Sequence, residues 1–308
     1  MVLDCYRRAG KVVYKALKLA LNLVEEDKPV LEICEKLEGF IINSGARPAF
    51  PVNISINQVA AHYTADIEDE LTVPRKGIVK VDIGVHVDGF IADAALSIPL
   101  GVDYLELVDA AYNALVAAIR AMKPFKPLQE IGVVIEREIT KMGFNPIRNL
   151  SGHLIDRYNL HAGKSVPNTG IGYPNVVSRT GEVYAIEPFA TNGVGEVVEG
   201  NVVTIFRLSS LKRVKRDKKA NEIIKKVWSS FRSLPFAKRW LARLIGRSQV
   251  DEVIAKLANY KAITGYPVLV ERSAGMVSQM EDTIILASRR ETINLTRAIE
   301  IYRELRYR

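Results

Sequence analysis

Two aspartates of this chain, Asp82 and Asp93, lie eleven positions apart, on either side of the dipeptide Asp88-Gly89. Asp-Gly between two apolar runs is a strong hairpin signal, because both residues suit the positive backbone angles of a tight turn. Centring the turn there pairs Val87 with Phe90, His86 with Ile91, Val85 with Ala92, Gly84 with Asp93 and Asp82 with Ala95. Side chains alternate with period two, so Asp82, Gly84 and His86 share a face with Ile91, Asp93 and Ala95. The opposite face carries Val81, Ile83, Val85, Val87, Phe90, Ala92, Ala94 and Leu96 and reads as core. The two carboxylates become diagonal neighbours, roughly 7–8 Å apart at the backbone, with the small residues Gly84 and Ala95 leaving space around them. In a half-buried sheet they repel, or one keeps its proton, unless a cation lies between them. A pair of ions about 3.5–4 Å apart would fit that placement. The structural alternative is the solvated polar face of an ordinary hairpin.

Other residues could complete such a site. The chain has four histidines, His62, His86, His153 and His161. A lone histidine is more often a surface or core residue than a ligand, and His86, close to the turn, is read that way. His153 falls in Ser151-Gly152-His153, which reads as a loop-like turn after a strand. Glu187 sits in the apolar run Tyr184–Phe189, and Glu281 just precedes Thr283–Leu286. A carboxylate in such a run is costly to bury unless it is paired or bound to a cation, and a salt bridge to Lys or Arg would serve as well. Taken together, Asp82, Asp93, His153, Glu187 and Glu281 form a mostly oxygen ligand set. It suits Mn, Fe(II), Co or Zn in an open, hydrolytic site. Spacing alone does not assemble these residues, since 199 positions separate the first from the last.

Leu3–Val24 and Pro29–Ser44 read as amphipathic helices, the second stopped at Gly45. Pro48–Ile56 is extended, and the hairpin follows. Asp103–Met122 and Leu128–Met142 read as two further helices. Strand-like runs come next, at Val183–Ile186, Val202–Leu208, Pro267–Val270 and Thr283–Ala287. Two helices followed by strands, twice over, suggests two similar halves. Between Ser209 and Gly265 the chain is helical, basic and aromatic-rich, with Trp228, Phe231, Phe236 and Trp240. The domain plan is therefore a main domain of residues 1–208 and 265–295, an inserted helical subdomain of 209–264, and a basic C-terminal helix of 296–308.

Bulk composition bounds the alternatives. At 308 residues, 48% hydrophobic and 25% charged, the chain is an ordinary soluble protein of one large domain or two modest ones. Cys5 and Cys34 make no disulfide framework, and the chain reads as cytoplasmic. No run of 18 apolar residues and no signal peptide occurs, which argues against a membrane span. Net charge is +8, with much of the excess in Lys212–Lys226 and Arg289–Arg308. A basic surface permits weak contact with nucleic acid, although a solvated helix face accounts for each run as well.

The surroundings of the candidate ligands resemble the methionine aminopeptidases of the pita-bread fold, the archaeal type II members in particular. The order Asp82, Asp93, His153, Glu187, Glu281 is similar to that family's metal ligands. So are Pro48–Asn53, Ala61-His62-Tyr63-Thr64, Asp82–His86, Asp88–Asp93, Leu150–His153 and Ala185–Phe189. The insertion, with Leu234-Pro235-Phe236-Ala237 and Trp240-Leu241, resembles the feature that separates type II from type I. The resemblance covers residues 1 to about 290.

The resemblance implies an α+β pita-bread fold, with pseudo-two-fold αβ halves around a curved antiparallel sheet and an inserted helical subdomain. It implies removal of the initiator methionine from nascent chains when the next residue is small. Two divalent ions (Co, Mn, Fe or Zn) are implied, Asp82 holding one through both oxygens, Asp93 and Glu281 bridging, and His153 and Glu187 completing the other. Hydroxide between the ions would attack the scissile carbonyl, with Glu187 as proton acceptor and the substrate's amine on the ion held by Asp82. His62 and His161 match the family's two non-ligand histidines, which hydrogen-bond the substrate amide and steady the tetrahedral intermediate. Phe50, Leu160 and Ile205 would line the methionine pocket. Expected partners are nascent N-termini and, through the basic surface, the ribosome, with the protein acting as a monomer.

Two features depart from the pattern. Asp282 follows the last ligand where the family usually has histidine, and in a strand it points away from Glu281. The tail beyond Leu295 is longer than the family needs. The rival readings are a proline-directed dipeptidase of the same fold, which usually carries an extra N-terminal domain, and an inactive pita-bread protein binding ribosome or RNA, which normally loses ligands.

Overall fold

The turn at Asp88-Gly89 forms with φ of 54° and 88°, the left-handed geometry its residues favour. It joins strands Gly77–Val87 and Phe90–Leu100 in the expected register, with Gly84 opposite Asp93 and Asp82 opposite Ala95. The structure is a computed structural model, which describes residues 1–171, 175–215 and 217–306. The face of Val81, Ile83, Val85, Ala92, Ala94 and Leu96 is fully buried, as the alternation requires. Helix α1 (Val2–Leu23) lays Ala9, Val13, Ala16, Leu17 and Ala20 into the same core. The face carrying the aspartates differs from the half-buried expectation. Ile91 and Ala95 there are fully buried, and Asp93 is 3% exposed. The second half of the chain covers it: Leu96 bridges to Met280, and Glu281 N donates to Ala95 O at 3.0 Å. The solvated hairpin face is thereby excluded.

Helices α1 and α2 (Val30–Asn43) precede the first group of strands, and α3 (Leu105–Ala121) and α4 (Leu128–Thr140) precede the second, so the repeated order is present. In the first group the hairpin strand Gly77–Val87 is flanked by Arg47–Pro48 and Asn53–Ile56. In the second, the strands run Thr292–Asn294, Asp282–Leu286, Val183–Ile186, Ser151–Ile155 and Ser165–Pro167. Every named pairing among these is antiparallel.

His153 therefore lies within a strand and not in a loop-like turn. The misleading feature is Gly152, whose role is close approach: a Cβ there would meet Ala185 O at 2.4 Å. Glu187 follows the strand Val183–Ile186, in the connection to Phe189–Thr191.

The insertion folds around its own core. Helices α5 (Lys218–Phe231), α6 (Lys238–Ile245) and α7 (Val250–Asn259) bury Ile223, Val227, Leu241, Val253 and Leu257 together with Phe206 and Phe236. Phe231 stacks on Phe236 and on Trp240, which accounts for the aromatic enrichment. Long strands Val197–Leu208 and Ile263–Glu271 pair with each other and carry the insertion at their ends. The C-terminal helix α8 (Ala298–Arg306) packs Ala298, Ile301 and Tyr302 into the main core, so it is no loose tail. Tyr307 and Arg308 of the expected basic helix, and Arg216 of the basic run before it, lie outside the described residues.

Candidate metal centre

The expected ligands reach one place from five separate strands or strand ends. Asp82, Asp93, His153, Glu187 and Glu281 all line a cavity of about 370 Å³, which His62, His161, Phe50, Leu160 and Ile205 line as well. Ligand atoms of Asp93, His153 and Glu281 lie within 4.8 Å of one another. His153 Nε2 stands 3.7 Å from Asp93 Oδ2 and 3.5 Å from Glu187 Oε1. Asp82 Oδ1, Asp93 Oδ1 and Glu281 Oε1 are shut off from solvent and have no hydrogen-bond partner among the described residues. Buried carboxylate oxygens left this way are costly unless protonated or bound to a cation. The residues present thus fit a divalent cation, by donor type, by convergence and by the orphaned oxygens.

Electrostatics point the same way. Burial raises the pKa of Asp82 to about 7. Burial, and then the charges of Asp82 and Glu187, raise Asp93; burial, and then Asp93, Glu187 and Asp82, raise Glu281. Glu187 is raised by burial and by Asp82, against a hydrogen bond from Gln279. Acids crowded in this way keep protons that a cation would displace. His153 is pushed the other way, down to about 3 by burial and then by His161, so its ring is neutral and ready to donate a lone pair.

The two histidines expected to lie outside the ligand set, His62 and His161, line the cavity. His62 Nδ1 lies 3.1 Å from Pro267 O, and since a carbonyl only accepts, Nδ1 carries the proton. Burial lowers the His62 pKa, which leaves Nε2 an unprotonated acceptor. Its backbone is held at φ 66°, a left-handed position for a residue with a side chain. The His161 ring packs edge-on against His153, at 4.4 Å between centroids. It is exposed at the cavity mouth, where surrounding walls, then His62 and Arg207, hold its pKa below the ordinary value. Phe50 is buried, and its ring occupies the space that Gly84 leaves: a Cβ at Gly84 would meet that ring at 2.1 Å. His86 stays outside the cavity, where its Nδ1 accepts from Gly89 N at 3.2 Å and closes the turn.

Sequence reasoning missed three residues. Gln279 Nε2 stands 3.3 Å from both Glu187 Oε2 and Glu281 Oε2 and so spans two candidate ligands. Thr283 Oγ1 accepts from Asp93 N at 2.7 Å and donates to Asp93 O at 2.6 Å. The usable signal was period two: Gln279, Glu281 and Thr283 fall on alternate positions, which in a strand share one face. Lys80, on the hairpin face of Asp82, is fully buried and donates to Asn57 O and Val277 O at 3.0 and 2.9 Å, fastening the hairpin to the strand of Gln279.

Comparison with known proteins adds to this geometry. The sequence profile of metallopeptidase family M24 matches residues 4–207. A methionine aminopeptidase of Saccharolobus solfataricus is 45% identical over 284 residues, which cover 90% of this chain and 92% of that one. Among solved structures, a thermophilic Arx1 superposes with a TM-score of 0.84 at 17% identity, covering 96% of this chain and 90% of that chain. A methionine aminopeptidase from Thermotoga maritima gives 0.68 at 21% identity, covering 95% of each. Both structures share the fold with this chain.

Proposed function

The chain belongs to metallopeptidase family M24, and from that premise we propose that it is a methionyl aminopeptidase, removing the N-terminal methionine of nascent chains whose second residue is small. One observation carries the reading. The five candidate ligands, both non-ligand histidines and the apolar residues Phe50, Leu160 and Ile205 converge on a single cavity of about 370 Å³, in a chain 45% identical to a methionine aminopeptidase over 90% of its length. Asp82, Asp93, His153, Glu187 and Glu281 would hold two divalent ions. When bound, such ions supply an acidified water and polarise the scissile carbonyl.

The protein's own residues do the rest. Phe50, Leu160 and Ile205 form an apolar seat for an unbranched thioether side chain, a shape that methionine fills by its flexibility. His62 Nε2 accepts a hydrogen bond from the substrate amide N–H and orients the bond to be cut. His161, at the mouth, donates to the oxygen on which charge develops. Glu187, whose burial raises its pKa, takes up a proton and returns it to the leaving amine. A free terminal amine would offer a lone pair to the ion held by Asp82, which an internal amide nitrogen cannot, so only chain ends would react.

The reading is tested with the tripeptide Met-Ala-Ser against a Xaa-Pro dipeptide. Cleavage of the first alone is expected, and Asp93→Ala removes both activity and bound metal. Preference for Xaa-Pro identifies a proline-directed enzyme instead. The cytoplasm is where such substrates emerge, and exposed Lys212, Arg213, Lys218, Lys219, Lys225 and Lys226 give the insertion a basic surface suited to the ribosome. Co-sedimentation with ribosomes at low salt, lost as salt rises, is the expected result.

A further inference from the structure

Asp282, the residue after Glu281, turns its carboxylate away from the cavity and is fully buried. Its Oδ1 accepts from Thr296 Oγ1 at 2.6 Å and from Ala298 N at 2.5 Å. Its Oδ2 accepts from Asn294 Nδ2 at 2.8 Å and from Ile299 N at 3.3 Å. Ala298 and Ile299 open α8, so this carboxylate satisfies two of the helix's free N–H groups and meets its positive end. The helix is itself fixed. Tyr302 OH donates to Asp109 Oδ1 at 2.8 Å, and Lys18 Nζ pairs with Glu304 Oε2 at 2.9 Å.

Two routes lead from this cluster to the cavity. One is the chain itself, from Asp282 to Glu281. The other runs through Thr296, whose Oγ1 also accepts from Thr283 N at 2.9 Å, while Thr283 Oγ1 holds both backbone groups of Asp93. The routes end on Asp93 and Glu281, two of the carboxylates that the aminopeptidase reading assigns to metal.

We infer that Asp282 is a positioning residue, and that through it the C-terminal helix sets the placement of the Asp93 and Glu281 carboxylates. The inference rests on the reading of Asp93 and Glu281 as ligands and adds an anchor to it. A carboxylate is needed because it accepts at both oxygens. In Asp282→Asn the amide NH₂ must face N–H groups that also donate, so one pair of bonds is lost.

The test is calorimetric titration of Mn²⁺ alone into metal-free protein, for the wild type, Asp282→Asn, Thr296→Val and Asp217→Asn. Asp217 is the control, because its carboxylate caps α5 through Ala220 N at 2.9 Å in the separate core of the insertion. Asp282→Asn and Thr296→Val are expected to weaken Mn²⁺ binding about tenfold or more, the usual cost of losing a group that orients a ligand. Asp217→Asn is expected to melt earlier and bind Mn²⁺ as the wild type does. Thr296→Val leaves the Asp282 bonds to Ala298 and Ile299 in place and cuts the link to Thr283, so it separates positioning from folding. On Met-Ala-Ser, both variants should lower kcat and leave KM nearly unchanged, since neither residue lines the substrate cavity. Wild-type Mn²⁺ affinity in both variants would reduce Asp282 to a helix cap and overturn the inference. A wild-type protein that binds Mn²⁺ but leaves Met-Ala-Ser intact overturns the aminopeptidase reading, and the calorimetric comparison still decides the role of Asp282.

Discussion

At the cavity, four acids compete for the same small volume, and the way they share protons governs what can bind. Burial holds Asp82 protonated up to about pH 7 and raises Asp93, Glu187 and Glu281 as well, whereas His153, held down to about 3, is already neutral. In the window from the ordinary carboxylate range near pH 4 up to about 7, an entering cation must therefore expel protons from the acids and none from His153. The sign follows: Mn²⁺ affinity rises with pH across that window, by about tenfold per pH unit for each proton released. Calorimetry in two buffers of different ionisation enthalpy counts those protons, and an affinity that is flat between pH 5.5 and 7.5 would mean that the acids are already ionised. His62→Ala should behave differently, losing turnover while keeping metal, because its Nδ1 is committed to Pro267 O and the role proposed for its Nε2 is to accept from the substrate amide. The diagonal placement of Asp82 and Asp93 was legible from Asp88-Gly89 alone, since period two and a tight turn leave one register. Gln279 and Asp282 were not legible in the same way. What each side chain does depends on partners up to 92 residues away, such as Glu187, or on a helix that begins 16 residues on.

Between elements, the insertion is clamped to the main domain by a buried ion pair. Arg239 of α6 and Glu38 of α2 are 3% and 4% exposed, and Arg239 Nη2 donates to Glu38 Oε1. Arg239 Nη1 reaches Thr64 Oγ1 and Ala65 O at 2.8 and 2.9 Å, and Trp240 Nε1 donates to Glu38 Oε2 at 2.7 Å. Thr64 O in turn accepts from Thr204 Oγ1 at 2.9 Å. His62 is two residues before Thr64 and Ile205 is one after Thr204, so the clamp is tied to two segments that line the cavity of the candidate ligands. Removing one member strands the other as a buried charge. Arg239→Met should cost about 3–5 kcal/mol in urea unfolding, and the double variant Arg239→Met/Glu38→Met should recover most of that loss. It should also raise KM for Met-Ala-Ser with metal content unchanged; unaltered KM would separate the clamp from the cavity. The helices on either side of this pair were readable from their apolar spacing. The pair itself was not, because 201 positions separate its members and neither sits in a local pattern.

Across the whole molecule, the candidate ligands come from stretches that only the fold brings together. Asp82 and Asp93 stand on the first hairpin, His153 and Glu187 on and beside strands of the second half, and Glu281 ahead of the strand Asp282–Leu286, after the insertion. A cation at their centre therefore links both halves, and without one the acids must stay protonated to avoid repulsion. A metal held by the assembled site would have no comparable site in the unfolded chain, so it would stabilise the fold by mass action. Free Mn²⁺ at a hundred times its dissociation constant contributes about 2.7 kcal/mol. For a chain of this size that is a rise of roughly 5 °C in melting temperature, taking about 2 °C per kcal/mol. Because protons compete for the same oxygens, the rise should be larger at pH 7.5 than at pH 5.5, and a chelator should reverse it. Asp93→Ala gives the internal check. It should show no Mn²⁺-dependent rise, while its metal-free form, relieved of one crowded acid, should melt no lower than metal-free wild type by more than the small loss from one truncated side chain. A wild-type melting temperature that Mn²⁺ leaves unmoved at pH 7.5 would mean that these acids converge for some purpose other than holding a metal.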